Sequence, residues 1–190
     1  MLDVGSYPGT AYQVFGAKNH YTAFGLFQTD YIDSLARARI PYIEANIENY
    51  SVPNDSDIIL FCEIIEHLRK PYAALKNLWA LAKPGALIYV TTNNASYYGY
   101  ILKLIFHKEI HHSITLEDTT YPGHTRYFGL DELAREFNCI GFEVLSKRYI
   151  NFLPSVRYYR SRSFAVIKNT IGAILPDRYA TNIELVIRKP

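Results

Sequence analysis

Short apolar runs alternate with helix-patterned stretches through the first half of the chain, and few folds accept that rhythm. "MLDVG", "YTAFGLF", "IPYIEANI", "SDIILF" and "LIYVTT" read as strands, bounded by turn-formers such as Pro53-Asn54-Asp55. "TAYQVFGAK", "YIDSLARAR" and "PYAALKNLWALA" read as the helices between them. In the last of these, Leu75, Leu78, Trp79 and Ala82 recur at helical spacing, and Lys83-Pro84-Gly85 ends the run. Strands separated by helices favour parallel pairing, because a parallel neighbour needs a long crossover. The expectation is an α/β fold with a mostly parallel sheet. At 190 residues the chain is long enough for one domain, residues 1–190, with its own core.

Composition narrows the class. Apolar residues make up 49% and charged residues 20%, which excludes a disordered chain. No apolar run approaches the ~18 residues of a membrane-spanning helix. The start "MLDVGSYPGT" lacks the basic and long apolar parts of a secretory leader. The two cysteines, Cys62 and Cys139, follow no metal or disulfide spacing, so a reducing, cytoplasmic setting is expected. A net charge of +2 gives no reason to expect nucleic acid as partner. The charge is uneven, however. Between Val144 and Pro176 stand Lys147, Arg148, Arg157, Arg160, Arg162 and Lys168 with no acidic residue, interleaved with Tyr149, Tyr158 and Tyr159. That stretch reads either as a solvated helix face or as a peripheral contact for a lipid or anionic surface.

The second half is less regular. "YYGYILKLIFHK" and "LDELAREFNCIG" look helical, the latter ending at Gly141, and "FEVLSKRYI" and "ATNIELVIRK" look like strands. "EIHHSITLEDTTYPGH" reads as a loop in which His111 and His112 are solvated. "VRYYRSRSFAVIKNTIGAIL" has the pattern of an amphipathic helix. Residues 1–96 would form a ligand-binding core, 97–129 a lid, and 130–190 a closing helix and strands. Such insertions lie over the carboxyl ends of the strands, where open α/β sheets bind ligands.

Two local features carry chemistry. "LDVGSYPGT" runs from strand to glycine turn to helix: Gly5 permits a tight turn, Gly9 permits close backbone approach, and Asp3 can hold the loop or a cationic ligand. "CEIIEHL" follows a buried strand and packs Glu63, Glu66 and His67 into five positions. On a helical turn these three would share one face. Two carboxylates and an imidazole suit a divalent cation. Alternatively, a glutamate starts the next helix and favours its positive end while the histidine acts as a base or pocket wall.

"LDVGSYPGT", "DIILFCEIIEHL", "ALAKPGALIYVTTNN" and "HTRYFGLDELAREFNCIGFEVL" taken in order resemble the successive signatures of class I S-adenosylmethionine-dependent methyltransferases. The resemblance implies a Rossmann-like, seven-stranded sheet whose last strand is antiparallel, and S-adenosylmethionine as cofactor. It assigns Asp3, Gly5, Ser6 and Gly9 to the cofactor's amino-acid part, with Tyr7 standing where the family has its middle glycine. Gln28 stands where an acidic residue grips the ribose, and Asn46 where a residue faces the adenine amine. Cys62 and Glu63 lie beside the cofactor. Only Met1 and Leu2 precede Asp3, where the family usually has helices that cover the cofactor; either the sequence is a truncated piece or the later insertions supply the lid.

Two metal-dependent branches of the family also carry a histidine before the helix "LDELAREF": the ubiquinone-biosynthesis O-methyltransferases and the small-RNA 3′-end ribose methyltransferases. By that likeness Glu63, Glu66, His67 and His124 form a set for magnesium or manganese. Without metal, His67 is the first choice for the base that takes the acceptor's proton and His124 the second. Tyr97 and Tyr98 either line the acceptor pocket or pack under the lid. The resulting expectation is methylation of an oxygen on a small-molecule, lipid-linked or sugar-linked acceptor. A methyltransferase-like binding protein without activity and a metal-dependent RNA ribose methyltransferase are the alternatives. A Rossmann dehydrogenase is disfavoured, because the glycine turn lacks its full spacing and no acidic residue ends the second strand.

Overall fold

The computed structural model describes residues 1–6, 9–26, 29–50, 53–110, 123–151, 170 and 174–190, with the backbone alone at residue 17. Tyr7, Phe27, Gln28, His111, His112 and the basic, tyrosine-rich stretch 157–168 lie outside the described residues.

Among the described residues seven strands form one sheet: β1 Leu2–Val4, β2 Thr22–Gly25, β3 Tyr42–Glu44, β4 Ile58–Cys62, β5 Leu87–Asn93, β6 Glu143–Ile150 and β7 Asn182–Arg188. Their spatial order is β3-β2-β1-β4-β5-β7-β6. The pairs among β1 to β5 are parallel, and β7 runs antiparallel to both β5 and β6. This is the Rossmann-like, seven-stranded sheet with an antiparallel last strand that the motifs imply. The order reverses between β1 and β4, which makes the carboxyl ends of those strands the natural ligand crevice.

Helices α1 Thr10–Phe15, α2 Thr29–Arg37, α3 Pro71–Leu81, α4 Tyr98–Ile105 and α5 Leu130–Ile140 connect the strands. The period-2 alternation in the strands decides which side chain meets which helix. Leu2, Val4, Ile59, Phe61, Ile88, Val90, Ile183, Leu185 and Ile187 pack with α3 and α5, through Ala74, Leu75, Leu78, Leu133, Ala134 and Phe137. On the opposite face Tyr21 and Ala23 pack against Tyr31 and Leu35 of α2. Each large side chain so withdrawn from water contributes roughly 1.5–3 kcal/mol. Pro71 opens α3, where its missing N–H has no intrahelical partner to lose. At the start of α5 the Glu132 carboxylate accepts from the Gly129 N–H at 3.1 Å, and Gly141 leaves the helix with φ +116°.

Two strands are shorter than their apolar runs. β2 stops at Gly25, and Leu26 beyond it is exposed, since a glycine weakens strand propagation. β3 keeps only Tyr42–Glu44 of "IPYIEANI", as befits a sheet edge. Among the described residues no helix is long and apolar enough to cross a membrane.

Candidate active site

The loop after β1 is built mainly from backbone. Gly5 has φ +77° and donates its N–H to Phe24 O of β2 at 2.7 Å. A Cβ there would collide with Ile64 Cδ1, so the segment leaving β4 lies flat against the glycine. Gly9, at φ +87°, donates to Ser6 O at 2.5 Å. The Tyr31 hydroxyl donates to the same Ser6 oxygen at 3.0 Å. Asp3 is buried under this loop and accepts a hydrogen bond from the Tyr21 hydroxyl. Burial pushes the Asp3 carboxyl up to about 6, against the pull of the Tyr21 bond. Asp3, Gly5, Ser6 and Gly9 thus come together, with Asp3 bracing the loop from beneath.

The other two cofactor candidates described at the strand ends also have protein partners. The Asn46 side-chain oxygen accepts from the Glu48 N–H at 2.8 Å, closing an Asx turn after β3. Cys62 is half-buried at the end of β4, and burial raises its thiol to about 11, so it is a neutral thiol and not a nucleophile.

Beyond Cys62 the chain does not enter a helix. Glu63 sits at φ +54°, and only Ile65–His67 forms a 3-10 turn, with α3 starting later at Pro71. The reading of Glu63, Glu66 and His67 on one face of a helical turn is therefore corrected, because Glu63 lies outside the turn, as is the reading of a glutamate that favours the start of α3. The left-handed residue takes Glu63 out of the turn, but its carboxyl still meets that of Glu66. Glu63 accepts from Asn182 Nδ2 at 3.1 and 3.2 Å and from Asn93 Nδ2 at 3.2 Å. Glu66 has no exposed surface and accepts from Thr92 Oγ1 at 2.8 Å and Asn93 Nδ2 at 3.1 Å.

Both carboxyls titrate high. Glu63 rises to about 7, first because neighbouring atoms crowd water from its carboxylate and then because the Glu66 charge faces it. The residue as a whole stays open to solvent, which tempers the first cause. Burial raises Glu66 despite its hydrogen bonds. Among the described residues no lysine or arginine forms an ion pair with either group.

His124 reaches this place from 57 residues downstream of His67 in sequence. Thr125 fixes it there: its N–H donates to Glu66 O at 2.7 Å, and its hydroxyl lies 3.0 Å from Glu66 O and 2.9 Å from Leu68 O. The His67 and His124 rings meet edge-on, centroids 4.8 Å apart. Tyr127 continues the row at 5.6 Å from His124, Tyr100 lies 4.8 Å from Tyr127, and Tyr97 lies 5.1 Å from Tyr100. Tyr98 packs on Tyr97 at 4.7 Å. Glu66, His67 and His124 each offer a ligand atom within 4.8 Å of the others. Glu63 is not in that group, so three of the four expected ligands gather.

Asn93, Asn182, Thr125, Tyr100 and Tyr127 were not singled out in the sequence. The one signal for any of them is the asparagine pair that ends "LIYVTTNN", polar residues placed where a buried strand stops.

This sheet order, with a glycine turn at the switch point and acidic and imidazole groups beside it, defines the Rossmann-like class I methyltransferases. The chain belongs to the methyltransferase-domain family, whose model matches residues 1–147, and so to the S-adenosylmethionine-dependent class. It is 30% identical over 76 residues to a mitochondrial ubiquinone biosynthesis O-methyltransferase of Dictyostelium discoideum; the match covers 38% of this chain and 24% of that protein. A Vibrio vulnificus ubiquinone biosynthesis O-methyltransferase is 26% identical over 69 residues, 35% of this chain and 29% of its own length. The matches thus span about a quarter of these curated relatives. An Archaeoglobus fulgidus S-adenosylmethionine-dependent methyltransferase shares the fold with TM-score 0.65 at 15% identity, covering 99% of this chain and 85% of that one. The Burkholderia thailandensis 1,6-didemethyltoxoflavin N1-methyltransferase, solved with its substrate and S-adenosylhomocysteine, gives TM-score 0.63 at 14% identity over 99% of this chain and 69% of its own.

Proposed function

We propose that the chain carries out S-adenosylmethionine-dependent methylation of an acceptor hydroxyl at the Glu66–His67–His124 site. The convergence of those three side chains at the end of β4, beside the glycine turn, carries the reading. The match to O-methyltransferases supports oxygen as the acceptor atom. The donor set fits the cofactor: Glu63, an acidic side chain with no cationic partner among the described residues, suits an ammonium or sulfonium, and Gly5 and Ser6 lie alongside. Asp3, Gly5, Ser6, Gly9, Cys62 and Glu63 would hold it, with Asn46 at the nucleoside end.

The bound cofactor supplies an electrophilic methyl on a positively charged sulfur. The protein's work is alignment, exclusion of water and removal of one proton. His67 takes the proton from the acceptor hydroxyl, and His124, edge-on to it, fixes the imidazole's orientation. The tyrosines Tyr97, Tyr98, Tyr100 and Tyr127 form the wall against which the acceptor rests. Exposed Leu102, Leu104 and Ile105 on α4, with Phe106 just after it, suit a small molecule with an apolar part, such as a lipid-linked one.

The spacing of Glu66, His67 and His124 favours a second reading, in which they hold a magnesium or manganese ion. Two imidazoles and a carboxylate fit such an ion with positions left for oxygen ligands. The ion would lower the acceptor's pKa, and both histidines would serve as ligands.

Calorimetry with S-adenosylhomocysteine tests the cofactor, and transfer of labelled methyl from S-adenosylmethionine to catechol, with and without manganese, tests the chemistry. No binding at high micromolar S-adenosylhomocysteine would overturn the proposal. Transfer that survives chelation would leave His67 as the base and remove the metal.

A further inference from the structure

Two adjacent asparagines stand where β5 stops, Asn93 as its last residue and Asn94 just beyond, and their side chains have opposite duties. Asn94 is fully buried and serves the fold: its amide donates to Arg178 O at 2.9 Å and Ala180 O at 2.8 Å, and its oxygen accepts from the Ser96 N–H at 3.0 Å. Asn93 is half-buried, and among the described residues its side chain bonds to side chains of the site. Its Nδ2 donates to Glu63 Oε2 at 3.2 Å and to Glu66 Oε1 at 3.1 Å, and its Oδ1 accepts from the Tyr100 hydroxyl at 3.3 Å. Both amide hydrogens and the oxygen are thereby engaged. The three partners come from the two ends of the loop after β4 and from α4. Across the ladder from Asn93 stands Asn182, whose amide holds Glu63 from the other side.

We propose that Asn93 is the positioning residue of the reaction, setting the two carboxylates and the Tyr100 ring relative to one another. An amide suits that role because it joins two carboxylates without neutralising them. A lysine would also join them but would place a fixed positive charge beside them, and an aspartate would add a third carboxylate with no hydrogen to donate. The Tyr100 bond extends the same control to α4, so the acceptor wall and the acidic floor share one anchor. The inference rests on the reading of this place as the acceptor side of a methyltransferase.

The test compares Asn93→Ala, Asn93→Asp and Asn94→Ala with the wild type. Asn93→Ala should lower kcat for methyl transfer to catechol about 10- to 100-fold, as loss of a group that orients reacting side chains does. The affinity for S-adenosylhomocysteine should stay within about two-fold and the melting temperature near the wild type. Asn93→Asp should lose more kcat than Asn93→Ala, and Asn94→Ala should lose stability first. Equal loss of cofactor affinity and kcat in Asn93→Ala, or Asn93→Asp retaining full kcat, would overturn the proposal. Should the wild type bind S-adenosylhomocysteine yet methylate no catechol, the acceptor reading fails, and the anchor is decided without activity. In ligand-free protein labelled with 15N-asparagine, Glu66→Gln and Tyr100→Phe should each shift the Asn93 side-chain amide signals and leave those of Asn94 in place. Unmoved Asn93 signals would remove it as the anchor.

Discussion

The two halves of the strand-end crevice are made of different material. Around β1 and β2 the groups are backbone: Gly5 N–H to Phe24 O, Gly9 N–H to Ser6 O, with Tyr21 and Tyr31 bracing from beneath. Around β4, β5 and β7 they are side chains: Glu63, Glu66, His67, Asn93, His124 and Asn182. The first half forms within 31 residues of chain, and the second joins residues up to 119 apart. A site made of backbone tolerates few changes of conformation but is indifferent to most side chains. A site made of side chains has the opposite sensitivity. Mutations should therefore divide along this line, with stability losses on one side and activity losses on the other.

Gly5→Ala should break the backbone half most severely. The φ of +77° disfavours any Cβ by about 1–2 kcal/mol, and the collision with Ile64 adds overpacking of about 1–3 kcal/mol. We expect a loss of about 3 kcal/mol in urea unfolding. Adding Ile64→Ala to the variant should restore the packing part and leave the conformational part. A double variant no better than Gly5→Ala would show that Ile64 is not what the glycine accommodates.

On the side-chain half, Glu66→Gln keeps the volume and removes the charge. Methyl transfer should fall about 100-fold, or about 2.7 kcal/mol in transition-state terms. Folding stability at pH 8 should hold or rise, because a carboxylate with a raised pKa is a burden to the native state when ionised. If Glu66, His67 and His124 hold an ion, manganese affinity falls in the same variant. A kcat within about five-fold of wild type would show that His67 works alone.

The contrast between the halves also explains what could be read before any coordinates. The sheet and its helices were legible, since apolar runs such as "SDIILF" and "LIYVTT" are separated by stretches in which Leu75, Leu78 and Trp79 repeat at helical spacing. Gly5 and Gly9 were legible because left-handed backbone selects glycine locally. The pairing of His67 with His124 came from resemblance and not from pattern. Asn93 was marked only by its place at the end of "LIYVTTNN", and Asn182 was not legible, because nothing in a strand's periodicity tells which polar residue will face another strand's end. The helix expected over Glu63–His67 failed for a similar reason: the left-handed turn at Glu63 is stabilised by Asn93, Asn182 and the Thr91 carbonyl, all distant in sequence.

Asp3 offers a test of the backbone half that involves pH. The carboxyl ionises near 3.8 when unfolded and near 6 when folded. Between those values the native state binds more protons, so this group's contribution to stability is complete below about 4 and is lost as pH rises to about 6. The two-unit difference corresponds to about 2–3 kcal/mol. Unfolding free energies of wild type and Asp3→Asn, measured from pH 3.5 to 8, should diverge by about that amount in favour of the variant as pH rises. Parallel curves would mean that Asp3 keeps its ordinary carboxyl pKa in the native protein.

The smallest effect should come from Asn46, which follows the edge strand β3. Its side-chain oxygen already accepts the Glu48 N–H, a bond that shapes the loop after β3. Asn46→Asp preserves that acceptor, and Asn46→Ala removes it. If the residue acts chiefly through the turn, Asn46→Ala loses about 0.5–1 kcal/mol of stability while Asn46→Asp loses almost none. S-adenosylhomocysteine affinity then changes by less than about two-fold in Asn46→Asp, and little more in Asn46→Ala. If the same oxygen also accepts from the adenine amine, its second lone pair is in use, and Asn46→Ala loses affinity by about five-fold or more with little further loss of stability. Calorimetry on the two variants separates these outcomes, because the turn appears in unfolding and the adenine contact only in binding.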